Sequence, residues 1–329
     1  ILKPNLKEGK QMLSKEVYKK LFAFTEREEE LYNLLKSSDL SKVKQTIEKY
    51  VEGNFTKGVY FAIEKHTRFL PVKEHFHNFI EIMYVLNGEI RQKVKGAEII
   101  LKKGELMLLN QHVSHEIETT SEQDIMINFI IKPEFFDYII SLIDEENRLS
   151  KFLLSSIYNN AKRGEYLCFH VSEVARIQST LEEIIEEIYG ESVIKNVRVQ
   201  FLMGLLVIDL INNIPRAESY IEEGYDENLL MKILKYVEES YNYASLKEIS
   251  LKLNQPNYKI SKFLKEVTGK TFQELILEKR LEKAKELLKH TDYSIAEIIR
   301  EVGYENTTYF YKIFKEKFKM SPKDFRESL

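Results

Sequence analysis

One pattern is written twice in the last hundred residues, and that duplication constrains the fold more than any other feature of the chain. The first copy occupies 245–254 and 257–265, the second 294–303 and 308–315. Ile249, Leu253 and Asn254 match Ile298, Val302 and Gly303 at an offset of 49, whereas Ile260, Lys262, Lys265 and Glu266 match Phe310, Lys312, Lys315 and Glu316 at 50. The second turn therefore carries one inserted residue. Ser245 with Glu248, and Ser294 with Glu297, predict a capping box at the head of each copy, where side chains take up free N–H groups at a helix start. Asn254 and Gly303 suit the positive φ of a sharp helix exit. Downstream, Ile260, Phe263 and Leu264, or Phe310, Ile313 and Phe314, form a core-facing stripe and leave Lys262, Lys265, Lys312 and Lys315 outside.

Two short helices joined by a tight turn suit the DNA major groove, because the second is thin and polar enough on one face to lie in it while the first braces it. Segment 271–288 contains neither proline nor glycine and predicts one continuous helix. Held by such a connector, the two second helices would enter successive major grooves on one face of a duplex, roughly 34 Å apart. Ser321 and Pro322 predict a further helix start, with proline at the first helical position.

These residues resemble the DNA-binding domain of the AraC/XylS-type transcriptional regulators over about 226–329. The resemblance rests on Gly269, Arg280, Leu281, Ala284, Leu287, Leu288, Ile295, Glu297, Ile298, Gly303, Tyr304, Tyr309, Phe310, Phe314, Lys315, Ser321, Pro322, Phe325 and Arg326. Departures are Ser250 and Ile299 in place of alanine, Lys262 and Lys312 in place of arginine, and Lys319 in place of glycine. The resemblance implies double-stranded promoter DNA and RNA polymerase as partners. It assigns base-edge contacts to Asn257, Tyr258, Ser261 and Lys262 in the first reader and to Thr307, Thr308, Tyr311 and Lys312 in the second, with Lys265 and Lys315 on phosphates. Lysine keeps the charge of the family's arginines but loses their bidentate grip on guanine.

Charge is distributed to match. Residues 228–329 hold 20 Lys and Arg against 15 Asp and Glu, a net of +5, so the other 227 residues carry −8 of the total of −3. A chain of 329 residues has room for about two domains with their own cores. Its single cysteine, Cys168, excludes an intrachain disulfide and fits a reducing, cytoplasmic setting. The longest apolar run, 201–206 continued to 211, is too short to span a bilayer, so no membrane partner is expected. No secretory signal is visible, and the start at Ile1 points to a missing true N-terminus.

Residues 55–132 change character, with alternating apolar positions and frequent turns. If the chain is extended through His75, His77, Phe79, Glu81, Met83 and Val85, all six share one side and Ile80, Ile82 and Tyr84 the other. Short strands follow at 89–94, 98–101, 106–109 and 124–131, separated at Gly88, Gly96 and Gly104, the spacing of an antiparallel barrel or sandwich. His75-x-His77, Glu81, Gly88, Gly104 and His115 resemble the cupin pattern, although Phe69 stands where its first glycine is expected and Asn110 and His112 replace a proline and glycine. By that resemblance the equivalents of His75, His77, Glu81 and His115 bind a metal in the enzymes, and Zn, Mn, Fe or Ni suits three imidazoles and a carboxylate. In the regulators the same small barrel is a metal-free effector pocket, for which His75, His77, Glu81, Met83 and His115 are the candidates.

Segment 133–225 is expected to be helical. Val174, Ile177, Leu181, Ile184 and Ile188 make a short seam that could pack on the barrel or, as the family resemblance implies, form a homodimer through 173–190. Residues 193–214 are apolar nearly all round and are expected to be buried. Residues 212–226 have the turn and acidic residues of a linker, and 1–54 predict a helical preface with a capping box at Thr25 and Glu28. The expected fold class is α+β: an antiparallel β-barrel of cupin type with flanking helices, then an all-α tandem helix-turn-helix domain. The segments are 1–54, 55–132, 133–225 and 226–329. The leading expectation is a sequence-specific transcription regulator, an activator responding to a small molecule such as a sugar. Its rival is a metal-dependent cupin enzyme fused to a DNA-binding domain.

Overall fold

The computed structural model describes residues 13–36, 61–136, 139, 147–158, 164–190, 195–220 and 226–328. Most of the expected preface and part of the expected linker lie outside the described residues. Contacts divide the chain into two compact units, 1–157 with 162–223, and 224–329 with 158–161.

The first unit is a two-sheet sandwich. Its strands are β1 (Phe61–Lys65), β2 (Val72–His75), β3 (Ile80–Asn87), β4 (Glu89–Val94), β5 (Ala97–Lys102), β6 (Leu106–Leu109), β7 (His115–Ile117), β8 (Ile125–Ile131), β9 (Tyr166–Phe169) and β10 (Ala217–Tyr220). They form a six-stranded sheet ordered β1-β8-β3-β6-β9-β10 and a four-stranded sheet ordered β2-β7-β4-β5. The expected barrel is not closed, since no ladder joins the two sheets among the described residues. The expectation of one extended run from His75 to Val85 is also corrected. The chain leaves one sheet after His75 and enters the other at Ile80, so β2 and β3 belong to opposite layers. β9 and β10, from the stretch expected to be helical, extend the larger sheet beyond β6.

Inward positions of both sheets meet in one core: Met83 and Val85 of β3, Ile90 and Val94 of β4, Leu101 of β5, Met107 and Leu109 of β6, Ile117 of β7, Met126 of β8 and Cys168 of β9. β3 is buried along nearly its whole length because its outer face is covered too. Tyr84, on that outer face, donates its hydroxyl to Gln178 Oε1 at 2.8 Å.

Helices α1 (Lys15–Phe22), α2 (Glu26–Lys36), α3 (Arg148–Tyr158), α4 (Ala175–Tyr189) and α5 (Lys195–Ile211) complete the unit. The α4 seam is spent inside it: Ile177, Leu181 and Ile184 are fully buried, and α4 runs along α5 and touches α1. α5 departs from the expectation of all-round burial, because Val199, Met203, Leu206 and Leu210 are buried while Val197, Phe201, Leu205 and Ile208 are exposed. The Thr25 and Glu28 box forms, Thr25 N–H donating to Glu28 Oε2 at 2.8 Å and Glu28 N–H to Thr25 Oγ1 at 3.2 Å. Glu28 then pairs with buried Arg68 at 3.0 Å and with Lys65 at 2.8 Å, fastening α2 to the sandwich.

The second unit is all helical: α6 (Glu227–Ser240), α7 (Leu246–Lys252), α8 (Asn257–Thr268), α9 (Phe272–His290), α10 (Ile295–Glu301), α11 (Thr307–Phe318) and α12 (Pro322–Glu327). Phe272, Leu275 and Ile276 of α9 join a core with α6, α7 and α8, whereas Leu281, Ala284 and Leu288 join a second core with α10 and α11. One uninterrupted helix thus belongs to both trihelical bodies. The expected box at Ser294 and Glu297 is complete. At Ser245 only half forms: Glu248 N–H donates to Ser245 Oγ, but the Glu248 carboxylate accepts from the Tyr236 hydroxyl, which itself accepts from Ser245 N–H. A buried tyrosine has inserted itself into the reciprocal bond. Asn254 and Gly303 both take the left-handed backbone expected of them, at φ 50° and 84°.

Candidate functional site

In the sandwich, strand register decides which polar groups face inward. Glu81 shares the parity of Met83 and Val85, and His115 that of Ile117, so both point into the core layer. His77, from the crossing between the sheets, brings its Nε2 to 3.3 Å from Glu81 Oε2, and His115 Nε2 lies 3.5 Å from the same oxygen. Ligand atoms of His77, Glu81 and His115 all fall within 4.8 Å of one another. His75 stands apart from this trio: it is exposed and packs its ring, tilted by 53°, 4.4 Å from that of His115 across the β2 and β7 pair. Met83 is buried one inward position beyond Glu81.

Hydrogen bonding fixes which ring nitrogens are available. His77 Nδ1 lies 2.8 Å from the Phe79 carbonyl and His75 Nδ1 3.0 Å from that of Lys73. A carbonyl can only accept, so each Nδ1 carries a proton and donates it there, which leaves each Nε2 for other partners. Burial raises the Glu81 carboxyl, but the imidazoles of His77, His115 and His75 outweigh it and hold the group below its ordinary range. Burial brings the His115 imidazole down to about 4, so that ring is neutral at pH 7.

Two inward polar residues, Gln92 and Asn128, and one exposed residue beside them, Glu64, escaped the sequence reading. Gln92 sits between Ile90 and Val94 on the inward face of β4 and donates Nε2 to Met107 Sδ at 3.2 Å. Asn128 pairs with Met83 across β8 and β3, and Glu64 with Asn128 across β1 and β8. Desolvation, then the nearby Glu81 charge, raises the Glu64 carboxyl. Buried Glu81 Oε2, His77 Nε2, His115 Nδ1, Gln92 Oε1 and Asn128 Oδ1 make no hydrogen bond. The signal was there as one polar residue on an otherwise apolar parity.

In the helical unit, α8 presents Asn257, Tyr258, Lys262 and Lys265 to solvent, and α11 presents Thr307, Thr308, Lys312 and Lys315. Ser261 is half-buried, and Tyr311 is half-buried against the second core. Lys262 pairs with Glu266 at 3.8 Å and Lys265 with Glu274 at 3.9 Å, both exposed contacts that water screens. Tyr309, exposed on the first turn of α11, was not among the expected contacts. The Ser250 departure has a use: its hydroxyl donates to the Gln255 carbonyl inside the first turn.

A family profile described as AraC-like ligand binding domain matches residues 58–195, and one described as helix-turn-helix domain matches 250–328. An effector-binding sandwich followed by paired helix-turn-helix bodies defines a one-component transcription regulator. The chain belongs to the AraC/XylS-type regulators. It is similar to the HTH-type transcriptional activator RhaS of Escherichia coli O139:H28 (strain E24377A / ETEC), 24% identical over 268 residues, which span 81% of this chain and 91% of that one. The C-terminal domain of the two-component response regulator yesN from Fusobacterium nucleatum subsp. nucleatum ATCC 25586 is 37% identical and covers 30% of this chain and 98% of that one, with a TM-score of 0.29. Unsaturated fatty acid bound ToxT from Vibrio cholerae strain SCE256 is 16% identical over 83% of this chain and 97% of that one, with a TM-score of 0.33. By these two profiles the chain is a DNA-binding regulator with a ligand-binding domain. No described helix is long and apolar enough to cross a membrane.

Proposed function

We propose that a small-molecule effector binds inside the sandwich at the His77, Glu81 and His115 end, with Met83 beneath it and His75 at the rim, and that its binding activates transcription in the cytoplasm. The supporting observation is the group of buried polar atoms that make no hydrogen bond in this layer. Each such atom destabilises a fold by about 1–3 kcal/mol unless something completes it. Glu81 Oε2, Gln92 Oε1 and Asn128 Oδ1 are acceptors, so the fitting ligand donates hydrogen bonds, as the hydroxyls of a sugar do. Thermal-shift screening of the full chain against carbohydrates and other metabolites tests this. A ligand should raise the midpoint in wild type and not in Glu81→Gln. A ligand whose shift survives Glu81→Gln and His115→Ala would place the site elsewhere.

Promoter contacts in this reading follow the exposed faces of α8 and α11. Asn257, Tyr258, Ser261, Lys262, Thr307, Thr308, Tyr311 and Lys312 meet base edges, Lys265 and Lys315 meet phosphates, and RNA polymerase is the downstream partner. The chain acts as a homodimer. Because the 173–190 seam is buried internally, the contact is assigned to the outer face of α5, where Val197, Phe201, Leu205 and Ile208 are exposed.

One observation favours a second reading of the same pocket. Two imidazoles and one carboxylate turn ligand atoms to a common point, and a backbone carbonyl orients His77 through its Nδ1, which is the arrangement that holds a divalent transition metal ion. The donor set fits, with His77, Glu81 and His115 as ligands and His75 outside. Elemental analysis of protein purified without added metal should then show a stoichiometric metal that is lost in His77→Ala. Metal-free wild type would leave the organic effector alone.

A further inference from the structure

Arg280 lies on α9 between the residues that enter the first helical core and those that enter the second. Its guanidinium donates from Nε to the Tyr241 carbonyl at 2.7 Å, from Nη2 to the Asn242 carbonyl at 3.0 Å and from Nη1 to the Gly303 carbonyl at 2.8 Å. The first two acceptors belong to the turn after α6, in the first trihelical body. The third belongs to the turn before α11, in the second. One planar fork therefore ties both bodies and the connector together.

Gly303 shows how close the two bodies come. A Cβ there would lie 2.2 Å from the Asn242 carbonyl oxygen. Its counterpart in the first copy, Asn254, holds φ 50° with a full side chain, so the left-handed helix exit by itself does not require glycine. The approach of Asn242 does. Tyr241 reinforces the contact by packing its ring into the second core, and Lys279 pairs with Glu238 on the same side. Arg326 makes the informative contrast: it donates to the carbonyls of Leu288, Tyr293 and Thr291, all on the side of the second trihelical body.

Because α9 supplies core residues to both bodies, their separation changes only if α9 bends or twists between Ile276 and Leu281. Bonds that span that stretch resist the motion. We propose that Arg280 is a positioning residue that holds α8 and α11 at one separation, so that the protein selects DNA by the spacing of its two half-sites as well as by their bases.

Spin labels at Glu266→Cys on α8 and Glu316→Cys on α11 test this in the full chain without DNA. Both positions are exposed, whereas Cys168 is buried, with its thiol pushed up to about 12 by burial, and stays unlabelled. The expected result is one narrow distance distribution in the parent and in Arg326→Ala, and a broadened or shifted one in Arg280→Ala. If Arg280→Ala fails to fold, Arg280→Lys, which keeps the charge and loses the fork, is measured with the same expectation. A second arm inserts a few base pairs between the half-sites of a duplex selected by the wild type. Wild type should lose about tenfold or more in affinity, and the Arg280 variant should discriminate far less. An unchanged distance distribution in the folded Arg280 variant overturns the proposal, and it does so independently of whether any particular DNA contact is right.

Discussion

Phe69 and Lys319 hold left-handed backbone, at φ 69° and 62°, in two places where the resembling families have glycine. Such a conformation disfavours a Cβ by about 1–2 kcal/mol, so each side chain needs a compensating contact. Phe69 has one: its ring packs against Phe24 at 5.4 Å and Tyr32 at 5.3 Å, and so carries the α2 helix. Lys319 closes α11 and returns its Nζ to the Glu316 carbonyl at 2.9 Å. Beside Phe69, burial would raise the Glu28 carboxyl, but Arg68 and Lys65 outweigh it and bring it down to about 2 from 4.5. A carboxylate depressed in the folded state stabilises fully above its unfolded value and loses that contribution as pH falls through its folded value. Together the contacts of Glu28 with Arg68, Lys65 and Thr25 thus add about 3 kcal/mol at neutral pH, fading between 4.5 and about 2. Glu28→Gln should melt well below wild type at pH 6, and the gap should narrow as the pH is lowered through that window. A gap independent of pH would contradict the assignment. The Thr25 box was legible in sequence. Arg68 was not, because its partner is forty residues away and nothing in local spacing announces a long-range buried pair.

Among elements, strands were legible where alternation was long and the punctuation clear. β4 and β6 fall at the expected residues, and the turn at Lys95 and Gly96, both with positive φ, closes the β4 and β5 hairpin. β9 and β10 were not legible: four residues each, between helices, they exist because each completes the other's ladder at the sheet edge. Continuity from His75 to Val85 was misread for a related reason, since period-two alternation says which residues share a side but not that the chain crosses between layers at 76–79. That crossing sends His75 to the rim while His77 turns toward Glu81. α5 was misread because apolar content all round leaves no polar face to mark the outside. Its exposed Val197, Phe201, Leu205 and Ile208 recur at helical spacing, a stripe that a second copy would cover. Phe201→Glu with Leu205→Glu should therefore leave the circular dichroism unchanged and weaken dimerisation by about tenfold or more in sedimentation equilibrium. A double variant that dimerises like wild type would move the interface off α5.

For the whole molecule, the tandem repeat gave the architecture of one unit nearly complete, including the continuous α9 and both helix exits. The first unit was harder because its polar interior is assembled from four strands and one crossing that sequence separates widely. A regulator needs the effector to favour one state of the protein over another, and in the proposed reading the acceptor-rich interior would supply the differential contact on the sensor side. On the DNA side, everything rests on two groove-reading helices carried by one connector. Footprinting of the full chain on duplexes it selects from a random pool tests that most directly. Two protected major-groove segments on one face, roughly 34 Å apart, are expected, and Lys262→Ala should weaken specific binding by about 1–3 kcal/mol while leaving scrambled DNA nearly unchanged. A single protected segment, or an equal loss on specific and scrambled duplexes, would contradict it.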